Sequence, residues 1–286
     1  MSTVSDSYLR GAEESGLLGR FAGSRYVAGT YEEPVRSELQ YLVTYCDPDL
    51  AARSAWWAEL PAIARAADPA TQALVARVPS GHRPPAAWRP YITYLSCDGD
   101  RGAAGAGAPA QDLPEVVAAL PEHDAAIGRW LGTALSNAAA AHGAERAQPE
   151  AGVVSSLLDH PGRSSFVVLL DGSPAGHATV LCDEQDDVTG EPIAELFDIL
   201  VEARPADRRR ATTALVAAAA RYAASRRLPL IGNVVHTLTG EADPGEQVVT
   251  SLMSQGWRRH HAMWWLPLET PASPVSPSPT GEGTPR

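Results

Sequence analysis

The sequence predicts a mixed α+β protein: a central mixed sheet flanked by helices, with an additional N-terminal α+β region. Three observations lead there. Strand-like and helix-like apolar periods alternate along residues 113–269. A glycine- and alanine-rich stretch without periodicity, DGDRGAAGAGAPAQD at 98–112, separates that region from residues 1–97. Trp88-Arg89 also leads into a strand much as Trp257-Arg258 does near the end, an echo that leaves room for a degenerate duplication. The expected organisation is an N-terminal domain over 1–97, a linker over 98–112, a second domain over 113–269 and a tail over 270–286. The tail is Pro, Ser, Thr and Gly with nothing to bury, and is expected to be disordered.

In the first part, Tyr8–Phe21 and Leu50–Ala67 have helical spacing, the second carrying Trp56, Trp57, Leu60 and Ile63. Leu39–Tyr45 and Pro90–Leu95 are rich in β-formers and predict strands. The aromatics of this part fit core and interface packing, and no chemical motif emerges from it.

The second part opens with a strand at Glu115–Ala119 and a helix at His123–Ala141. Ser165–Leu170 and Gly176–Asp183 predict a hairpin turning through Asp171-Gly172. A strand at Ile193–Val201 runs into an arginine-started helix. Leu228–Val235 predicts a buried strand, Glu246–Ser254 a short helix, and Trp257–Leu266 the final strand.

Composition excludes several chemistries. All 23 basic residues are arginine. Without lysine there is no phosphate-loop lysine, no Schiff base to pyridoxal phosphate and no lysine general base. The net charge of −11 argues against a broad nucleic-acid footprint. Cys46, Cys97 and Cys182 are odd in number and far apart, so neither a disulfide framework nor a zinc site is expected, and a cytoplasmic location is. No segment reaches about 18 uninterrupted apolar residues, so no membrane span is expected.

The chemistry concentrates in 193–227. Strand alternation puts Glu195, Phe197, Ile199 and Val201 on one face and Leu196, Asp198 and Leu200 on the other. Acids inside so apolar a strand require a reason. After Pro205, with Asp207 as the expected cap, Arg208, Arg209 and Arg210 fall in the first helical turn. Cations there oppose the helix dipole, at a cost of roughly 0.3–1 kcal/mol each. A bound anion would reverse that cost, and salt bridges to Glu202 and Asp207 would relieve it. Of the histidines, His177 lies on the strand beside the carboxylate strand. His236 precedes a polar stretch, Thr237–Gln247, that reads as a loop over the cleft. His260 and His261 are adjacent on a strand, hence on opposite faces, and no metal is expected.

The element order over 113–268, AELFDILV feeding an arginine-rich turn and helix, and SLMSQGWRR before the last strand together resemble the GCN5-related N-acetyltransferase (GNAT) superfamily. The resemblance implies a sheet of that type, with the N-terminal region as a degenerate half of the same kind. It implies that backbone groups of Ile199, Leu200 and Val201 align a pantetheine arm. The pyrophosphate would then be held from Asp207 to Thr213, by Arg208, Arg209, Arg210, Ala211, Thr212 and Thr213. Glu195 matches a general-base glutamate of some members; Asp198 is the alternate base, and His177 could face the acceptor pocket. The family's turn reads Gln/Arg-x-x-Gly-x-Gly/Ala, whereas this chain has Asp207-x-x-Arg210-x-Thr212. The positions of the family's tyrosine acid and its asparagine hold Leu252 and Gly245.

Three functions are therefore expected in competition. The first is an N-acyltransferase carrying an acyl group from acyl-CoA, such as acetyl-CoA, to a small-molecule amine. The second keeps the fold but takes its acyl group from an aminoacyl-tRNA or a carrier protein, in natural-product biosynthesis. The third is a non-catalytic binding protein. A homodimer is compatible with each.

Overall fold

A computed structural model describes residues 3–34, 36–97, 113–144, 151–238 and 243–269. The expected linker and tail lie outside the described residues. In chain order the elements are α1 (Asp6–Glu14), β1 (Leu18–Phe21), β2 (Ser24–Glu33), β3 (Glu38–Cys46), α2 (Pro48–Ala51), α3 (Ser54–Ala67), β4 (Ala73–Pro79) and β5 (Arg89–Cys97). They continue with β6 (Val116–Ala118), α4 (Asp124–Ala141), α5 (Ala151–Leu158), β7 (Arg163–Leu170), β8 (Ser173–Gln185), β9 (Pro192–Val201), α6 (Pro205–Ser225), β10 (Leu230–Val235), α7 (Pro244–Ser254) and β11 (Arg258–Pro267).

The eleven strands among the described residues join one mixed sheet, in the order β1-β2-β3-β4-β11-β5-β10-β9-β8-β7-β6. Apart from the edge strand β6, the order is symmetric about the β11–β5 pair. β3 and β4 are parallel, as are β9 and β10, while every other neighbouring pair is antiparallel. Within the central pair, Arg258 faces Ser96 and Arg89 faces Trp265, reciprocal positions about a pseudo-two-fold axis. Trp88 and Trp257, just before these strands, are both buried. The Trp-Arg echo thus marks a structural repeat.

The two parts are not separate sheets, because each gives its last strand to the other. β5, from the first part, pairs with β10; β11, from the second, pairs with β4. Leu95 and Cys97 of β5 are buried in the second part's core with Leu196, Leu215 and Leu230. Ala262 and Trp264 of β11 are buried in the first part's core beside Trp56 and Leu60.

Local chemistry explains where the elements depart from expectation. The helix expected over Tyr8–Phe21 stops at Glu14, because Gly16 takes a left-handed φ of 71°. Leu18–Phe21 then turns back through Ala22 and Gly23, both at positive φ, to pair with β2. β2 and β4 escape sequence reading: glutamates and Gly29 break the period of β2, and β4 is a short apolar run before a proline. α5 is likewise additional. The hairpin of β7 and β8 turns through Asp171 and Gly172 at φ 50° and 76°, as their types require. Asp207 does not cap α6. Arg204 holds the cap position and Pro205 the first helical one, so the arginine triplet sits one turn deeper than expected. Cys46, Cys97 and Cys182 are all buried, and none of them is in a disulfide.

Candidate functional site

The site is built around a change of register. After an irregularity between the Ile193–Glu184 and Glu195–Leu181 pairs, Leu196 faces Val180; Asp198 then faces Thr179, leaving Phe197 as an extra, bulged residue. The bulge resets the alternation. Ala194, Leu196, Ile199 and Val201 pack toward α6, whereas Phe197 and Leu200 pack toward Ile127, Trp130 and Leu131 of α4. Glu195 and Asp198 therefore share the face opposite α6, which corrects the two-face assignment made from simple alternation.

The parallel ladder between β9 and β10 spans only Ala194–Leu196 against Leu230–Gly232. Beyond it the strands part, so β9 has no β10 partner alongside Asp198–Val201. The first part repeats this geometry: the β3/β4 ladder ends at Val43–Ala76, and Thr44, the next residue, is bulged against β2. Each half thus has a splayed parallel pair with a bulge at its mouth. The fold is GNAT-like in both halves.

No family model and no curated protein matches the chain. Among solved structures, a conserved protein of unknown function from Staphylococcus epidermidis is similar over 80% of this chain and 84% of its own, at 9% identity and a TM-score of 0.46. A tandem GNAT protein from the clavulanic acid biosynthesis pathway is similar over 90% and 82%, at 16% identity and TM-score 0.42. A GCN5-related N-acetyltransferase from Kribbella flavida is similar over 90% and 93%, at 15% and 0.40. The site is accordingly read from this chain's own residues.

Glu195 is partly buried, and burial raises its pKa above the ordinary carboxylate value, with Glu184 and Asp187 adding to the rise. The exchanged strand β5 lays Tyr94 on the same face: Ile231 faces Glu195 on one side and Ser96 on the other, and Tyr94 lies two residues along from Ser96, facing Asn233. Burial raises the Tyr94 pKa, and the Glu195 charge adds to it. Strand exchange makes this neighbourhood, so sequence order held no signal for it.

Asp198 and His177 come together, Nε2 to Oδ2 at 3.0 Å. His177 is wholly buried, its ring stacked on Trp130 at 5.6 Å and 7°, and its Nδ1 lies 3.0 Å from the Thr179 hydroxyl. With both nitrogens engaged and no exposure, His177 orients Asp198 and does not face an acceptor. His236 is also buried. It links Thr93 at 2.8 Å to Asp243, the cap of α7, at 2.6 Å, and so anchors the start of that helix. The centre of the expected lid lies outside the described residues.

Of the expected donor residues, Ile199 and Val201 face α6, while Leu200 packs toward α4. Arg208, Arg209 and Arg210 are exposed, and Arg208 donates to the Ala203 carbonyl at 3.0 Å. The side chain of Ala211 is buried in the core, which removes it from any ligand surface. Thr213 donates to the Arg209 carbonyl, and Thr212 is half-buried.

Gly176 lies against the end of β9. A Cβ there would stand 2.5 Å from the Leu200 carbonyl oxygen and 2.8 Å from the Val201 Cα. Gly176→Ala should cost about 1–3 kcal/mol in urea unfolding by pushing this end of β9 outward; an unchanged midpoint would show that the close approach does not matter.

A cavity of about 650 Å³ opens at the first splay, lined by Thr44–Pro48, Arg77, Val188 and His260–His261 among others. At its edge Arg77 and Asp186 form a largely buried ion pair at 2.6 Å. Burial pushes the Asp186 pKa up, but Arg77 and the Thr189 N–H outweigh it and bring it down to about 2. Asp186 therefore adds stability above the ordinary value of 3.8, and that contribution is lost as the pH falls toward 2. Asp186→Asn should cost about 3 kcal/mol at neutral pH, since Arg77 is left buried and unpaired, and its deficit should shrink in acid. Denaturant melts at two pH values check both statements.

Among the described residues, no helix is long and apolar enough to cross a membrane.

Proposed function

We propose that the chain is an acyltransferase of the GNAT type, moving an acyl group from a thioester donor to the amine of a small molecule. The observation that carries this is the splay of β9 from β10, with a half-buried carboxylate of raised pKa on one side and an exposed arginine cluster at the helix that follows. The pantetheine arm lies along Ile199–Val201, where β9 lacks a β10 partner, and guanidinium groups of Arg208–Arg210 meet the donor phosphates. Glu195 takes the proton from the acceptor ammonium. The neutral amine attacks the thioester carbonyl, and as the tetrahedral intermediate collapses and the C–S bond breaks its nitrogen loses a second proton to solvent. Tyr94 gives its proton to the departing thiolate and recovers one from solvent. Asp198, held by His177, positions the acceptor.

The second reading keeps the fold and takes the acyl group from an aminoacyl-tRNA or a carrier protein. It is favoured by the α6 turn, Ala203-Arg204-Pro205, which has no glycine to bring phosphate onto the main chain and offers side-chain cations instead. Incubation with acetyl-CoA, longer acyl-CoAs and acyl-pantetheines across a panel of amines, with free thiol as the readout, tests the proposal. Amine-dependent thiol release is expected. Amide product formed only with an acyl carrier protein or a charged tRNA, read by mass spectrometry because transfer from tRNA frees a ribose hydroxyl and no thiol, would select the second reading, and no product with any donor would contradict both.

A further inference from the structure

The register shift in β11 creates a constellation that alternation forbids. Arg259 faces Leu95 and His261 faces Tyr94, so His260 is an inserted, bulged residue. The two imidazoles consequently lie on the same side of the sheet, contrary to the opposite faces expected of adjacent strand residues. Their Nδ1 atoms are 2.8 Å apart, and both rings line the cavity at the first splay. Asp186, from the β8–β9 loop, completes a set whose nearest ligand atoms all lie within 4.8 Å of one another.

From this geometry we propose that Asp186, His260 and His261 bind a divalent first-row transition-metal ion. Two imidazoles and one carboxylate are the donor set that such ions take, with the remaining position open. For metal–ligand bonds of about 2.0–2.2 Å, neighbouring ligand atoms of a tetrahedral site stand about 3.3–3.6 Å apart, so the two Nδ1 atoms part slightly and the carboxylate closes in, both within reach of side-chain rotation. The supporting shell is in place. Arg77 and the N–H groups of Val188 and Thr189 hold the carboxylate, and Tyr94 stacks on His261 at 4.3 Å. The remaining position faces the cavity, where water or a ligand donor atom fills it. The ion also ties the β8–β9 loop to the exchanged strand β11, joining the two halves where Ser5 N–H already bonds the Val188 carbonyl. The site shares Tyr94, which stacks on His261, with the acyltransfer proposal, but zinc binding is read without any acyl donor.

The test uses the full chain, stripped of metal by a chelator. Zinc titrated calorimetrically should bind at about one ion per chain and raise the thermal midpoint, and cobalt(II) should give visible ligand-field bands. His260→Asn, at a half-buried position, should weaken zinc binding by at least about tenfold while leaving the metal-free circular dichroism unchanged, since even outer-shell changes cost that much. Asp186→Asn gives the second arm, with its metal-free stability measured alongside. Absence of zinc binding in molar excess, or binding of unchanged affinity in His260→Asn, would overturn the proposal.

Discussion

Residues 113–286 expressed alone should fail to fold, although they contain every element expected of a single GNAT unit. The reason is the exchange. Without β5, strand β10 loses its antiparallel partner along Leu230–Val235, and the core loses Leu95 and Cys97, which are 1% and 0% exposed. Removing a buried leucine alone typically costs about 2–5 kcal/mol. A central strand lost with its ladder exceeds the about 5–15 kcal/mol of a typical domain. β11 would meanwhile present Trp264 and Trp265, both buried in the intact chain, to water. The expected result is an aggregating or molten fragment, with a cooperative transition restored by co-expressing residues 1–112. A fragment 113–286 that unfolds cooperatively near the midpoint of the full chain would contradict the exchange.

The second large effect separates chemistry from folding. Glu195→Gln should lower acyl transfer about 100- to 10,000-fold, the range expected when a positioned proton acceptor is removed. Stability should move the other way. A carboxyl whose folded pKa is raised holds its proton more tightly in the native state, so it favours folding in acid and loses that contribution as pH rises through the raised value. At neutral pH the ionised Glu195 is a cost that glutamine removes. The variant should therefore equal or exceed the parent in urea unfolding at pH 8, with less advantage at pH 5. The parent's acyl-transfer rate should also rise with pH through a limb lying above the ordinary carboxylate range. A full-rate variant, or one that is inactive because it is unfolded, would remove Glu195 from the mechanism.

How much of this was legible in the sequence depends on whether local or long-range forces decide the element. The hairpin at Asp171-Gly172, the long helices and the apolar strands β3, β7, β9 and β10 follow from turn chemistry and period, and the sequence shows them. β2 does not, because a partly exposed strand with Gly29 and two terminal glutamates carries no clean alternation. Within the site, Glu195 stands out as an acid in an apolar run. Its face-sharing with Asp198 does not, since a bulge at Phe197 leaves no mark in composition. The same blindness hid the pairing of His260 with His261. Tyr94 was out of reach for a different reason: it lies in the other half of the chain and arrives only through strand exchange. The Trp-Arg echo was the single sequence signal of that exchange.

Whether the second half binds a thioester donor at the α6 turn is decided by calorimetric titration of the full chain with coenzyme A. Saturable binding at about one equivalent is expected, weakened at least about tenfold when Arg208, Arg209 and Arg210 are all changed to glutamine, since each charge-assisted hydrogen bond is worth about 1.5–3 kcal/mol. No heat at millimolar coenzyme A, or binding indifferent to the triple substitution, would contradict it.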